Sequence, residues 1–392
     1  MSVLIKGPIK KYPLMGLLPI LILCGCRVEG LNNLQANATA VSAGYQRTCA
    51  LIPGGLVLRC WGMVPSSNTK TIVSTIPVPI SGITNAVAIS VSGGSGHTCV
   101  LITGGTIQCW GLNFYGQLGD GETAPSLGNP VSAIGITSAV AVSAGGNHTC
   151  ALLSGRTAQC WGLNISGQLG NGTTTDSSVP VAVSGITTAT AISAGSDDTC
   201  ALLSGGTIQC WGANTYGQLG NGTTTDSSVP VAVSGITTAT AISVGGDYAC
   251  ALLSGGTIQC WGINSAGQLG NGTLANSSAP AAVSGITNAT AVSAGQSHAC
   301  ALLTTTAMEC WGLNDAGQLG NGTPSGSSIP VTVADTIGSG SLSFVTAVSS
   351  GVDHTCALLS GGAVACWGLN NLGQVGDGLT TDSTLPVVVS GF

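Results

Sequence analysis

The sequence predicts an all-β chain folded as a seven-bladed β-propeller, four short antiparallel strands to a blade, closed by pairing of its N- and C-terminal strands. Three observations predict it. Beyond the first 26 residues, fourteen cysteines fall into seven pairs: Cys49/Cys60, Cys99/Cys109, Cys150/Cys160, Cys200/Cys210, Cys250/Cys260, Cys300/Cys310 and Cys356/Cys366. Trp-Gly follows every second member, and the pairs recur about every fifty residues, a period that marks propellers and solenoids. Between them lie short β-branched runs punctuated by Gly and Pro, the all-β signature, without the 3.6-residue apolar stripe of a helix.

One unit justifies the elements in order. Strand A is expected at 189–193 (ATAIS) and strand B at 199–203 (TCALL). A Ser-Gly-Gly turn leads to strand C at 207–211 (TIQCW), and a long Gly/Asn/Thr loop leads to strand D at 230–233 (PVAV). Strands A, B and D carry apolar residues on both parities, as expected when a blade packs between two neighbours. Residues 171–193 and 221–243 are identical, which indicates internal duplication. The first strand A is expected at 38–42 and the last strand D at 386–390, so the final D strand is expected to join the first A strand.

Cysteine register follows from the turn. Cys200 and Cys210 are equidistant from Gly205, so a tight hairpin sets them directly opposite one another. Opposed residues have Cβ atoms about 4.5–5.5 Å apart, and a small adjustment reaches the ~3.8 Å of a disulfide. Seven within-blade disulfides are expected in an oxidising compartment. The alternatives are buried free thiols or zinc, and zinc suffers from the lack of any C-x-x-C spacing. The first pair has one more intervening residue than the others.

The N-terminus reads as a targeting segment, outside the fold. Lys6, Lys10 and Lys11 precede an apolar run at 14–23, too short for the ~20 residues that span a bilayer. It ends in Leu23-Cys24-Gly25-Cys26, which resembles a bacterial lipobox with Cys26 as the acylated residue. The alternative is an ordinary signal peptide cleaved nearby. Residues 1–25 are thus assigned as a lipoprotein-type signal, 26–37 as a tether and 38–392 as the propeller. By resemblance to enteric lipoproteins, Arg27 in place of Asp implies the outer membrane of a bacterial envelope, with the lipid as the only membrane attachment.

Charge narrows the partners. Only 6% of residues are charged, against about 25% in ordinary domains. Removing the signal leaves five cations against fourteen acidic residues, a net charge of −9, and no Lys or Arg follows residue 156. Nucleic-acid binding needs cations to displace phosphate counterions, so that class is excluded. A transmembrane barrel is also excluded, because five-residue strands fall short of the 9–11 required.

The unit at 145–172, which contains His148-Thr-Cys-Ala-Leu-Leu, Cys160-Trp-Gly, Asn164 and Gly167-Gln-Leu-Gly-Asn-Gly, resembles the repeat of the regulator of chromosome condensation family. The resemblance runs from 38 to 392 and implies the propeller fold. Repeat one departs from it, with Met63-Val64-Pro65-Ser66-Ser67 in place of Gly-Gln-Leu-Gly. Repeat seven has Gly373-Gln374-Val375-Gly376, preceded by about six additional residues around 336–343. The eukaryotic member exchanges nucleotide on the Ran GTPase and binds chromatin. This chain has no basic tail to match, and exchange activity is set aside. The exported bacterial β-lactamase inhibitory protein of propeller type shows a related use, as a protein-binding disc.

Chemistry is sparse. His97, His148, His298 and His354 share one repeat position, which Arg47, Asp198 and Tyr248 fill elsewhere. That periodicity favours a structural role over a metal ring or acid–base site. No Gly-x-Ser-x-Gly elbow and no calcium loop occurs, the Asn-Gly-Thr sequons read as turns, and neither enzyme nor cofactor is expected. The strand order places the A–B and C–D loops on one face, the top, and the near-uniform B–C and D–A turns on the other. The top loops carry Tyr45, Phe114, Tyr115, Tyr216 and Tyr248, with Asp197, Asp198, Asp247, Asp315 and Asp353. Tyrosine-rich polar loops on a rigid scaffold suit protein interfaces; unconstrained loop drift is the alternative. The expected function is an envelope-anchored monomer that presents this face to a protein, with a basic surface, or to a polysaccharide. The alternatives are an enzyme with a site on the same face and an enzyme inhibitor.

Overall fold

A computed structural model describes residues 37–391 apart from 54–56, 68–69 and 95; the expected signal segment and Cys26 lie outside the described residues. Among the described residues, twenty-eight strands form seven four-stranded antiparallel sheets, each built from four strands consecutive in sequence. The blades span 40–79, 86–132, 139–182, 189–232, 239–282, 289–332 and 345–388. In blade four, strand A is Ala189–Ala194, B is Asp198–Leu203, C is Ile208–Gly212 and D is Ser227–Ala232. Strand D therefore starts three residues before the sequence-based expectation. Strand A lines the central channel and D is the outer edge. Pro180, Pro230 and their equivalents sit in the edge strands, where a missing N–H costs no ladder bond and blunts edge-to-edge association.

The hairpin register is the expected one. Cys200 faces Cys210, and all seven expected disulfides are present: Cys49–Cys60, Cys99–Cys109, Cys150–Cys160, Cys200–Cys210, Cys250–Cys260, Cys300–Cys310 and Cys356–Cys366. The adjustment needed is an inward draw of the two strands, to Cα separations of 4.0–4.1 Å, below the ~4.5 Å of an ordinary close pair. Cys49 still pairs Cys60 in register although one more residue separates them.

Closure is not by strand exchange, which corrects the expectation. Blade one contains only residues 40–79 and blade seven only 345–388. Because A is innermost and D outermost in every blade, the last D strand needs no continuation. The ring closes instead through the seam that joins every other pair of blades. Ser42, Ser90, Ser143, Ser193, Ser243, Ser293 and Ser349 line the inner strands, and each Oγ accepts the backbone N–H of the next blade's A strand at 2.9–3.0 Å. The last of these bonds, Ala43 N–H to Ser349 Oγ, spans the junction of blades seven and one.

Packing repeats with the blades. Each Trp after the second cysteine is fully buried, and all but Trp110 meet the Gly-Gln-Leu-Gly-type segment of the preceding blade. A Cβ on Gly170 would lie 2.7 Å from the Trp211 Nε1, and its φ of +67° is also one that favours glycine. Gly376 meets Trp61 in the same way across the closing junction. The additional residues of repeat seven form a bottom-face loop around Asp335, whose carboxylate accepts the N–H groups of Ile337 and Ser339.

Candidate functional site

In six of the seven blades the top face is positioned by one side chain, the Gln of Gly-Gln-Leu-Gly or, in blade seven, Gly-Gln-Val-Gly. Its backbone carbonyl accepts the Trp Nε1–H of the next blade, as in Trp211 to Gln168 and Trp261 to Gln218, both 2.9 Å. Its side-chain oxygen accepts a backbone N–H two residues upstream, from Tyr115 to Gln117 and from Tyr216 to Gln218, each 3.0 Å. In two blades the side-chain amide reaches the following blade's A–B loop, donating from Gln168 to Asp197 at 3.1 Å and from Gln218 to Asp247 at 3.3 Å. Gln218 thereby holds the exposed Tyr216 and the acidic Asp247 loop in one clamp. Sequence reasoning missed this clamp; the Gln at a fixed place in six repeats was the available signal.

Beneath the clamp runs a buried relay. The Thr149 hydroxyl donates to the Gln117 carbonyl at 2.8 Å, so its oxygen accepts from His97 Nε2 at 2.9 Å. The arrangement repeats as His148–Thr199–Gln168, His298–Thr355–Gln318 and, across the closing junction, His354–Thr48–Gln374. This fixes the Nε2–H tautomer and leaves Nδ1 without a partner in all four rings. Burial lowers the pKa of His97 and His298 to about 3, and of His148 and His354 to about 4. The imidazoles are neutral struts between blades. The sequence contains the rule: every such His is followed one repeat later by Thr immediately before the first cysteine.

The bridged cysteines belong to the same interior and stay clear of the top face. Cys109, Cys260 and Cys310, like Cys99, Cys250 and Cys300 to which they are bonded, are completely buried. Their role is to staple the B and C strands of each blade, and none is placed to contact a partner.

Two expected surface residues belong to this buried layer instead. Asp198 and Tyr248 open B strands and are fully buried, so neither can contact a partner as expected. Each occupies the His position, and each faces a blade in which Thr has become Ala, at Ala249 and Ala299. The longer phenol of Tyr248 uses that space to donate its hydroxyl to the His298 carbonyl. Asp198 is too short for an equivalent contact, and both carboxyl oxygens lack a partner. Burial first, then the charges of Asp247 and Asp197, raise its pKa well above the usual carboxylate value.

The remaining candidates are on the top face. Tyr45, Phe114, Tyr115 and Tyr216 are 43%, 63%, 40% and 39% exposed, and Asp315 is exposed as well. Tyr45 and Asp197 share a shallow bowl at the channel mouth with Asn147, Gln296 and Val352. Phe114, Tyr115 and Tyr216 stand on C–D loops outside it, because C and D are the outer strands. Burial raises the pKa of Asp197, Asp247 and Asp353; Asp197 adds to the rise at Asp247, and Asp315 and Asp382 add to that at Asp353. The face is thus a crowded acidic surface with exposed aromatics. Below the bowl, the channel is lined by small residues such as Ala43, Ser90, Ser143 and Ala194, which present hydroxyls and amides.

The repeated elements of this seam have counterparts in known proteins. The family described as the Regulator of chromosome condensation (RCC1) repeat matches residues 105–152, 160–202, 206–252, 256–302 and 310–358. A second description of that repeat matches 88–117, 139–168, 189–218, 239–268, 289–318 and 345–374. The chain belongs to the regulator of chromosome condensation repeat family. A curated relative, Protein RCC2 homolog of Danio rerio, is 42% identical over 77 residues, which are 19% of this chain and only 15% of that protein. Among solved structures, Prp20p from Saccharomyces cerevisiae superposes with a TM-score of 0.74 at 20% identity, covering 87% of each chain. Human WBSCR16 gives 0.73 at 20% identity, covering 84% of this chain and 89% of that one. At these identities the likeness establishes the propeller scaffold that the family shares.

Proposed function

We propose that the chain is an envelope-anchored interaction module whose top face docks a protein with a basic surface. The observation that supports this most directly is the grouping of exposed Tyr45, Phe114, Tyr115 and Tyr216 with Asp197 and Asp247 on one braced face. Bracing matters because ordering loops on binding consumes affinity, and a preorganised face avoids that cost. The acidic loops would steer a basic partner and slow association as salt rises. Prp20p is described through its binding to Gsp1p and histones, so a propeller of this fold can serve as a protein-docking scaffold. Anchoring rests on the lipobox-like Leu23-Cys24-Gly25-Cys26.

The test compares affinities for a partner recovered with the disulfide-intact chain. Tyr115→Ala and Tyr216→Ala should each cost about 2 kcal/mol, roughly thirtyfold, if they are central anchors. Ser204→Ala, in a bottom turn, should cost nothing. The reverse pattern would move the interface to the bottom face, where Ile337 and Phe344 are exposed.

A further inference from the structure

Six of the seven seams are sealed alike. Leu118, Leu169, Leu219, Leu269, Leu319 and Val375 are fully buried plugs. The seam between blades one and two lacks the Gly-Gln-Leu-Gly segment, because strands C and D of blade one run on as a long hairpin, Val57–Ser67 paired with Lys70–Pro79, and Val64 is the buried residue packed with Trp110 there. Two consequences follow. The buried Trp110 Nε1–H, whose counterparts in blades three to seven donate to a plug-segment carbonyl, has no partner. A pocket of ≈ 270 Å³ also opens on the top of this seam, walled by Tyr45, Met63, Leu112 and Leu127 with Arg47 among its lining.

Arg47 takes the place of the relay histidine. It is only 6% exposed, and its guanidinium donates to two neutral groups, the Gly96 carbonyl at 2.8 Å and Thr98 Oγ1 at 3.4 Å. The chain has no acidic residue between Glu29 and Asp120, and burial without an opposing carboxylate lowers the Arg47 pKa to about 10. A buried cation without a counter-ion is costly unless something pairs with it. Guanidinium matches carboxylate geometry in a bidentate fork. An apolar cavity of about 150 Å³ holds benzene, so the larger volume here accommodates a ring or short alkyl chain with a carboxylate arm.

We propose that the pocket between blades one and two binds a small organic monocarboxylate, its apolar body against Tyr45, Met63, Leu112 and Leu127 and its carboxylate on Arg47. The site is independent of protein docking, although Tyr45 borders both.

The probes are 3-phenylpropanoate and octanoate, titrated calorimetrically into the oxidised chain, with 3-phenylpropanamide as the uncharged match. The expected result is saturable binding of at least one acid with a Kd of about 1 mM or tighter, and binding of 3-phenylpropanamide about tenfold or more weaker than that of 3-phenylpropanoate. Arg47→Gln should lower acid affinity by a similar factor. Leu127→Trp, which fills the pocket from its half-buried rim, should abolish binding without touching the guanidinium. Failure of both acids to saturate would overturn the proposal, as would equal binding of acid and amide. Undiminished acid binding by Leu127→Trp would overturn it too, and this arm stands even if Arg47→Gln does not fold.

Discussion

The seam between blades four and five buries an unpaired carboxyl, and restoring the relay there should strengthen the ring. Asp198 is fully buried with neither carboxyl oxygen paired, opposite Ala249 where five of the seven seams carry Thr. Its backbone register, Asp198 opposite Gly212 and Thr199 opposite Trp211, matches that of His148 opposite Gly162 and Thr149 opposite Trp161. The double substitution Asp198→His with Ala249→Thr therefore rebuilds a known arrangement, with the new hydroxyl aimed at the Gln218 carbonyl. Removing an unsatisfied buried carboxyl recovers about 1–3 kcal/mol, the two new hydrogen bonds add about 1 kcal/mol each, and the unpaired Nδ1 that every relay histidine keeps offsets about 1 kcal/mol. The double variant should gain about 2–4 kcal/mol in urea denaturation. Asp198→His alone should gain little, since its Nε2–H would meet the Ala249 methyl, so a double-mutant cycle should show coupling of about 1 kcal/mol or more. A pH series adds a second readout. The raised folded pKa of Asp198 means that the folded state holds the proton longer, so stability falls as pH rises from the unfolded carboxylate range through the folded pKa. That slope should be absent from the double variant. Zero coupling, or a double variant less stable than the parent, would refute the relay reasoning.

Further outcomes follow from the same seams. The relay histidines have folded pKa values of about 3 to 4, below the ~6.5 of an unfolded histidine. The unfolded state therefore binds more protons in this window, and stability should fall as pH drops from about 6.5 toward 3. His148→Gln should flatten that acid limb in equilibrium unfolding. Non-reducing peptide mapping should recover each cysteine pair as one linked fragment, and removing Cys200–Cys210 by paired Ala substitution should cost about 2–3 kcal/mol; cross-blade links would contradict the register. Cys26→Ser should release the protein from membranes or leave the precursor uncleaved, as fractionation and immunoblotting would show.

The sequence by itself determined the repeat, the blade count, the strand order and the cysteine pairing. Each of these depends on local spacing: a tight turn equidistant from Cys200 and Cys210 sets their register whatever surrounds it. The face that carries Tyr45, Phe114, Tyr115 and Tyr216 was also legible, because strand alternation alone assigns loops to one end. Tertiary structure decided what depends on the neighbouring blade. Tyr248 and Asp198 look like loop residues in a single repeat, yet both lie where a B strand meets the next blade and are buried there. Closure depended on the same fact, because which strand is innermost cannot be read from one unit, and that position makes the serine ring and the Gly–Trp packing sufficient without strand exchange. The pocket beside Arg47 is likewise a property of two blades, created where one repeat omits the segment that its neighbour is shaped to receive.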